Sequence, residues 1–253
     1  GEALSADVGT YTMTYSAVND APQNTITGAS LSVNEDTDLA ITGNSIADVD
    51  DTSMASVAIT ASRGVFDLAQ TTDLTFAANS GDGTDDTTMT FSGTVTKINL
   101  AIATLTWTSA SHDDADATIT IVTTDSSGAS DTDSMSITVG SVNDAPTTSG
   151  GSATPVEDAT HTFTTTAGDW GFADVDSGDA MTSIDFTSLP ATGTLMYSGN
   201  AVTAGQDIAI ADLGGVTYVP VANANGAVTF TFKVYDGEAL SADVGTYTMT
   251  YSA

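Results

Sequence analysis

Cysteine is absent from this 253-residue sequence, and basic residues are nearly so. Without thiols the fold can use neither disulfide bonds nor thiolate metal sites. Only Arg63, Lys97 and Lys233 offset 33 acidic residues, which leaves a formal net charge of −30. A chain of this charge repels nucleic acids and anionic membrane surfaces, and it attracts divalent cations. The composition therefore argues against nucleic-acid or membrane binding and points toward cation binding.

Long apolar runs and familiar catalytic motifs are also missing. No stretch of 18 apolar residues occurs, so the sequence predicts no membrane-spanning helix. It contains no Gly-x-Ser-x-Gly, no zinc motif and no phosphate-binding loop. Paired carboxylates could in principle hydrolyse a glycosidic bond, but such pairs arise by chance among so many aspartates. We therefore expect a protein that is not an enzyme.

The apolar content is high enough for folded domains. Forty per cent of the residues are apolar, which separates this chain from disordered acidic tails. Its length suits about two domains. All but four of the acidic residues are aspartates, which favour turns and calcium-binding loops over helices.

Two internal repeats divide the chain. Residues 1–17 are identical in sequence to residues 237–253, and Val18-Asn19-Asp20-Ala21-Pro22 recurs as Val142-Asn143-Asp144-Ala145-Pro146. These repeats predict a first domain over residues 18–141 and a second over residues 142–253, preceded by the final strand of another repeat in residues 1–17. We therefore interpret the chain as a fragment of a longer protein that repeats this two-domain unit in tandem.

Alternating polar and apolar residues predict an all-β fold, two tandem Greek-key β-sandwich domains joined end to end, with about seven strands each. The last two strands of each domain should form a hairpin, and these hairpins are predicted at residues 117–124 with 131–140 and at residues 227–235 with 244–252. One short helix is expected at Ile98–Leu105.

The two identical 17-residue segments compete for one position in the second domain. The C-terminal copy should occupy it, because its hairpin closes only a short loop. We expect the N-terminal copy to fray or to exchange with a neighbouring molecule, since it presents an unpaired strand edge. The protein is otherwise expected to be a monomer.

Each Val-Asn-Asp-Ala-Pro segment suits a linker between domains. Pro22 and Pro146 fix φ and hold the preceding residue extended. The Asn-Asp pair before each proline supplies side-chain oxygens, either for a calcium ion or for an Asx-turn before a strand. Two copies, each followed by similarly placed acids, favour calcium.

The same acidic motifs follow each linker in the same order. A Glu-Asp pair ends the first strand, an Asp-x-Asp loop follows the second strand, and an Asp closes the penultimate strand. In a Greek-key fold the loop and the last Asp return to the linker end of the domain, so six or so oxygen-bearing residues converge there, as calcium requires. The candidate metal ligands are Asn19, Asp20, Asp48, Asp50 and Asp125 in the first domain, Asn143, Asp144, Asp174, Asp176, Asp179 and Asp236 in the second, and Glu35 at the end of the first domain that faces the second linker.

This order of motifs, with its Asp-x-Asp-Ser-Gly-Asp loop, late Asp-Gly and Asn-Asp-x-Pro linker, resembles the cadherin repeat. Specifically, nearly the whole chain is similar to the cadherin-like tandem repeats of giant bacterial repeats-in-toxin (RTX) adhesins. The resemblance implies calcium at Glu35 and the second-domain ligands, a half-built copy at the first-domain ligands, and neighbouring identical repeats as partners. It also implies a secreted protein on the bacterial cell surface, where repeats form an extender that projects a ligand-binding tip.

Two departures from the cadherin pattern concern the linkers. Ser141 and Ala17 stand where cadherin linkers begin with Asp, and Ala145 and Ala21 replace their last Asn. One or two ions per linker are therefore expected.

A calcium-dependent module that binds carbohydrate or a cell surface is the alternative function. It would need exposed aromatic side chains beside a calcium site, whereas Trp107 and Trp170 are predicted to pack in the cores or at the domain ends. His112 and His161 are expected in a surface loop and a strand. The Gly81–Asp85 loop resembles one calcium-binding nonapeptide repeat, but a single copy favours a solvated hairpin loop.

Overall fold

The structure is a computed structural model that describes residues 10–28 and 30–252. It divides into two compact units, residues 1–141 (unit 1) and residues 142–253 (unit 2). Each unit is built from β-strands and has its own hydrophobic core. Among the described residues, none of the helices has the length and apolar character needed to cross a membrane.

Unit 1 contains eleven strands and one helix within its described part. They are Gln23–Thr25 (β1), Ser30–Asn34 (β2), Leu39–Ala40 (β3), Ser45–Ala47 (β4), Ser53–Ala61 (β5), Val65–Leu68 (β6), Thr75–Phe76 (β7), Thr88–Thr94 (β8), Val95–Ile102 (α1), Leu105–Thr108 (β9), Ala117–Thr124 (β10) and Ser130–Gly140 (β11).

Two sheets enclose the core of unit 1. The larger has the order β2-β11-β10-β5-β8-β7, the smaller has the order β3-β9-β6, and β1 pairs with β4. The alternation along β10 sends Ile119 and Ile121 inward, while the intervening threonine is less buried. Trp107 on β9 is fully buried in the same core.

The β10–β11 hairpin confirms the prediction to within one residue, because its alternating pattern continues through both strands. It is antiparallel, with Thr124 opposite Ser130. Strand β2 lies parallel to β11 on the other side, with Asn34 opposite Gly140. The beginning of unit 1 is thereby joined to its last strand.

The predicted helix is present but begins three residues earlier, at Val95. The Thr94 side chain caps it by accepting a hydrogen bond from the Lys97 backbone N–H at 3.3 Å. Ile98 and Ile102 face the core. The apolar spacing located the helix, and the cap determines where it starts.

Unit 2 also contains eleven strands in its described residues, together with two 3₁₀ helices at Ala167–Trp170 and Ile210–Gly215. The strands are Thr147–Thr148 (β12), Gly151–Ala153 (β13), His161–Thr162 (β14), Phe172–Ala173 (β15), Ser183–Phe186 (β16), Thr194–Tyr197 (β17), Asn200–Ala201 (β18), Gln206–Ala209 (β19), Val216–Val219 (β20), Gly226–Tyr235 (β21) and Gly245–Tyr251 (β22).

Unit 2 repeats the arrangement with a different core. One sheet has the order β13-β22-β21-β16-β19, the other has the order β14-β20-β17-β18, and β12 pairs with β15. Strand β13 lies parallel to β22. Trp170 is fully buried, and its ring centroid lies 5.1 Å from that of Phe232 and 5.0 Å from that of Tyr247. Aromatic packing therefore forms the centre of this core.

The expected number of about seven strands per domain is wrong for the described residues, because bends divide the strands into shorter segments. Gly28 (φ +79°) separates β1 from β2, and Gly150 (φ +82°) separates β12 from β13. Each of these backbone conformations favours glycine. After each bend the chain pairs with strands of a different sheet. An unbroken strand in each unit could not do this.

The C-terminal copy of the repeated segment forms β22, as predicted, and pairs with β21. Residues 10–21 of the N-terminal copy and first linker belong to no strand. The remainder of that copy, residues 1–9, lies outside the described residues.

Candidate metal centre

The second linker is hydrogen-bonded to the acidic residues of unit 2. The Asn143 side-chain amide donates to the Asp144 backbone oxygen at 2.9 Å and to Asp236 Oδ2 at 3.3 Å. The Asp144 backbone N–H donates to Asp176 Oδ2 at 2.6 Å. The linker therefore contacts both the Asp-x-Asp loop that follows β15 and the Asp that ends β21.

Three carboxylates of that loop lie close together. Asp174, Asp176 and Asp179 each offer an oxygen, and these oxygens lie within 4.8 Å of one another. The Asp176 backbone N–H donates to Asp174 Oδ1 at 3.0 Å, whereas Asp174 Oδ2 is buried without a hydrogen-bond partner. A buried carboxylate oxygen without a donor suits a hard cation, which provides the missing positive charge.

Two residues of this site have pKa values that shift in opposite directions. We call the site the unit 2 acidic group, and it comprises Asn143, Asp144, Asp174, Asp176, Asp179 and Asp236. Desolvation, followed by the charges of Asp174, Asp176 and Asp236, raises the pKa of Asp179. Desolvation alone would also raise the pKa of Asp236, but backbone N–H donors from Ala239 and Glu238 and the Asn143 amide outweigh it and lower that pKa. Asp236 is thus held as a carboxylate by the fold, while Asp179 is destabilised by its neighbours.

Unit 1 builds an equivalent arrangement around the first linker. The Asn19 side-chain amide donates to the Asp20 backbone oxygen at 3.0 Å and to Asp125 Oδ2 at 2.7 Å. The Asp20 backbone N–H donates to Asp50 Oδ2 at 2.8 Å, and the Asp50 backbone N–H donates to Asp48 Oδ1 at 2.8 Å. Every one of these bonds has its counterpart in unit 2.

The close carboxylates of unit 1 are Asp48, Asp51 and Asp125, whose oxygens lie within 4.8 Å of one another. Asp48 Oδ2, like Asp174 Oδ2, is buried without a hydrogen-bond partner. The Asn19 amide, assisted by backbone N–H groups against the effect of desolvation, lowers the pKa of Asp125. We call Asn19, Asp20, Asp48, Asp50, Asp51 and Asp125 the unit 1 acidic group.

Asp51 was not among the sequence candidates. Its Oδ2 accepts from the Ser126 backbone N–H at 3.0 Å and from the Ser126 hydroxyl at 2.7 Å. Asp51 directly follows Asp50, so the sequence feature that could have identified it as a candidate ligand is the presence of three acidic residues within four positions. In unit 2 the third loop carboxylate comes instead from Asp179, three residues after Asp176.

Glu35 lies at the opposite end of unit 1 from the unit 1 acidic group. Asp125 precedes β11 in the sequence. Glu35 follows β2 and lies beside the end of β11, where the Glu35 backbone N–H donates to the Gly140 backbone oxygen at 2.9 Å. The residue is 3% exposed. Glu35 therefore stands next to the residues that lead into the second linker, and its participation in a site with unit 2 remains a prediction.

The Glu-Asp motifs themselves have a structural role. Asp36 and Asp158 both adopt positive φ values, 55° and 58°. The Asp36 carboxylate accepts from the His112 backbone N–H at 3.2 Å, and Asp158 accepts from the Asn223 backbone N–H at 2.6 Å. Asp36 thus holds the loop before β10 to the end of β2, whereas Asp158 lies in the turn between β13 and β14 and holds the loop before β21; the expected Glu-Asp pair at a strand end is therefore found in unit 1 only among the described residues.

The weaker signals have structural explanations. Asp86 Oδ2 accepts from the backbone N–H groups of Asp82 and Gly83 at 2.8 and 2.7 Å, so the loop resembling a nonapeptide repeat is organised by its own carboxylate. Trp107 and Trp170 are fully buried, which confirms that they are core residues. Neither can form an exposed platform for a sugar.

Comparison with known families gives a match for unit 2. A family model described as the cadherin-like domain matches residues 142–250. Unit 2 has a cadherin-like fold. The match begins at the second linker, so this cadherin-like region includes the whole unit 2 acidic group.

Several solved structures are similar over most of the chain at low identity. Human mucin-like protocadherin EC1-2 is 12% identical, with 91% of this chain and 98% of that chain covered, at a TM-score of 0.42. Drosophila N-cadherin EC1-4 is 17% identical, with 93% and 50% covered, at a TM-score of 0.41. An endo-fucoidan hydrolase of glycoside hydrolase family 107 is 19% identical, with 92% and 29% covered, at a TM-score of 0.29.

The chain thus spans half of the N-cadherin structure and less than a third of the hydrolase. At these TM-scores the similarities do not bear on function. No curated protein gives a significant match.

Proposed function

We propose that this chain is a calcium-binding extender segment of a large secreted bacterial surface adhesin, and that it has no enzymatic activity. The observation that carries the proposal is the paired arrangement at the two linkers. In each, an Asn-Asp pair is hydrogen-bonded to acidic residues of the following unit, and one buried aspartate oxygen lacks a donor. The cadherin-like fold of unit 2 supports an extracellular, adhesion-type module.

Calcium would be held by the unit 2 acidic group, with Glu35 as a further ligand from unit 1, and by the unit 1 acidic group at the first linker. The ligands are carboxylate and amide oxygens, which are those that calcium prefers. When bound, the ion would supply the positive charge that these carboxylates lack. We propose one or two ions at each linker, with affinities in the range of extracellular modules, about 10⁻⁴–10⁻³ M.

The residues of the chain prepare the linker for this role. Asn143 holds the linker against Asp236, and the Asp144 backbone N–H holds it against Asp176. Without a cation, the mutual repulsion of Asp174, Asp176 and Asp179 opposes this closed arrangement. Calcium would remove the repulsion and leave the hydrogen bonds to fix the linker, so that the domains form a stiffer rod and function as a spacer with neighbouring repeats.

Small-angle X-ray scattering tests the proposal. The maximum dimension of the chain should be larger and its distribution of distances narrower in calcium than in chelator. A chain carrying both Asp48→Asn and Asp174→Asn should lose the difference, while Asp207→Asn, which removes an exposed charge on β19, should retain it. Equal dimensions of the wild-type protein in calcium and in chelator would rule out the stiffening role.

A further inference from the structure

One sequence occurs in two opposite environments in this chain. Residues 10–15 and residues 246–251 are identical, Thr-Tyr-Thr-Met-Thr-Tyr. In the first copy Tyr11, Met13 and Tyr15 are 87%, 62% and 82% exposed. The corresponding Tyr247, Met249 and Tyr251 of the second copy are 4%, 0% and 3% exposed. The first copy therefore presents to solvent an apolar face that the second copy buries completely.

The second copy occupies a groove of unit 2 between β13 and β21. Thr248 lies opposite Ser152 on β13 and opposite Thr229 on β21. The Tyr247 ring stacks on Phe230, with centroids 5.4 Å apart and an interplanar angle of 8°. The Tyr251 ring lies 5.8 Å from that of Tyr218. This groove is complementary to the alternating Tyr-Met-Tyr face.

The groove also selects the residue that precedes this face. A Cβ atom on Gly245 would lie 2.7 Å from the Phe232 ring and 2.8 Å from Thr148 Oγ1, so only glycine fits there without displacement of its neighbours. The corresponding residue of the first copy is Gly9. The first copy thus meets every side-chain requirement of the groove.

We propose that residues 10–15 are a donor strand for the β13–β21 groove of a second molecule of this chain. They would enter in the register of β22, with Tyr11, Met13 and Tyr15 in place of Tyr247, Met249 and Tyr251. The inference is independent of calcium and of the proposed function. It concerns unit 2 and the exposed segment only.

Exchange replaces one strand by an identical strand, so it gains no new side-chain contacts. The molecule's own β22 has the advantage of attachment, which corresponds to an effective concentration on the order of millimolar. At 10 μM protein the donor strand of a second molecule would therefore occupy only about 1% of the grooves. The wild-type protein stays largely monomeric, and exchange becomes dominant when β22 can no longer dock.

A double-mutant cycle at the two equivalent methionines tests this inference. Met249→Asp places a carboxylate at a fully buried position and should expel β22. The donor strand of another molecule should then fill the groove, so this variant should associate with increasing concentration in sedimentation velocity. It should retain an unfolding transition reported by Trp170 fluorescence, read in a Trp107→Phe background.

Met13→Asp is the matched control, because it makes the same change in the exposed copy; it should be monomeric and as stable as wild type. The double variant should lose both the association and the Trp170 transition. A synthetic peptide with the sequence of residues 237–253 should restore that transition, which would show that the groove itself remains competent.

Three outcomes would overturn the inference. Met249→Asp could lose the Trp170 transition as fully as the double variant does, while the peptide restores that transition in both variants. It could stay folded and monomeric at all concentrations. Alternatively, its stability could be independent of the residue at position 13.

Discussion

Replacing Asp174 with asparagine should stabilise unit 2 in chelator and should reduce the stabilisation that calcium adds. In chelator the change removes the repulsion of Asp174 by Asp176 and by Asp179, since the oxygens of all three lie within 4.8 Å of one another. At that separation two unit charges in water repel by about 0.9 kcal/mol. Asparagine retains the Oδ1 that accepts the Asp176 backbone N–H, so the loop keeps its hydrogen bond. The calcium-free variant should therefore be more stable than wild type by an amount on the order of 1 kcal/mol.

Calcium should stabilise the variant less than it stabilises wild type. A site with a dissociation constant of about 10⁻⁴ M stabilises the folded state by about 2.7 kcal/mol at 10 mM calcium. Loss of a ligand should weaken binding by at least about tenfold, since loss of a residue that only supports a ligand already costs about 10–100-fold. The stabilisation then falls to about 1.4 kcal/mol or less. At roughly 4 °C per kcal/mol for a domain of this size, calcium should raise the Tm of wild-type unit 2 by about 11 °C and that of the variant by about 6 °C or less.

Trp170 fluorescence during thermal unfolding measures this difference. The protein has two tryptophans, one in each core, so a Trp107→Phe background reports unit 2 alone. Asp207→Asn controls for the loss of one negative charge and should leave the calcium shift unchanged. If Asp174→Asn and wild type show the same shift, Asp174 is not a ligand, and the interpretation of its unpaired oxygen is wrong.

Three further predictions concern unit 2, the first two of them in the absence of calcium. The pKa of Asp236 is below its ordinary value of 3.8. The charged carboxylate therefore stabilises the fold above that value, and this stabilisation is lost as the pH falls through the folded-state pKa. Asp236→Asn should lower the urea midpoint at pH 7 and have little effect at the acidic end. The pKa of Asp179 is raised, so its charged carboxylate destabilises the fold at pH 7. Asp179→Asn should therefore raise the urea midpoint at pH 7. If the effect of either substitution were constant across pH, the direction of that residue's pKa shift would be wrong. Gly150→Ala would place a Cβ 2.4 Å from the Thr246 backbone oxygen at a φ of +82°, and it should lower the free energy of unfolding by well over the ~1–2 kcal/mol that the backbone conformation alone costs. Gly199→Ala is the control and should cost only that amount, because Gly199 has a φ of +81° with no atom within 4 Å of a Cβ. Equal urea midpoints for the two variants would contradict this prediction.

The fold could be predicted where the alternating pattern is long. Strands β10, β11, β21 and β22 lie within one residue of their predicted limits, because seven or more alternating residues define both faces of a strand. The shorter strands could not be counted, because their division depends on bends at single glycines such as Gly28 and on which sheet each segment pairs with.

The candidate site could be predicted within each unit because the motif order recurs. Asn143, Asp174, Asp176 and Asp236 come together in unit 2, as do Asn19, Asp48, Asp50 and Asp125 in unit 1. Asp51 was missed because its orientation depends on Ser126, a contact across 75 positions that no local pattern reveals. The contribution of Glu35 to the second linker depends on the placement of two separate units and stays a prediction.

The parallel pairing near the two ends of each unit has a mechanical consequence. When the chain is under tension, β2 and β11 of unit 1 are pulled in opposite directions, as are β13 and β22 of unit 2, so the hydrogen bonds between them bear the load together and not one after another. Five residue pairs join β2 to β11, whereas three join β13 to β22. A chain that transmits force along its length should therefore extend first in unit 2, which would lengthen and absorb work while unit 1 stays folded.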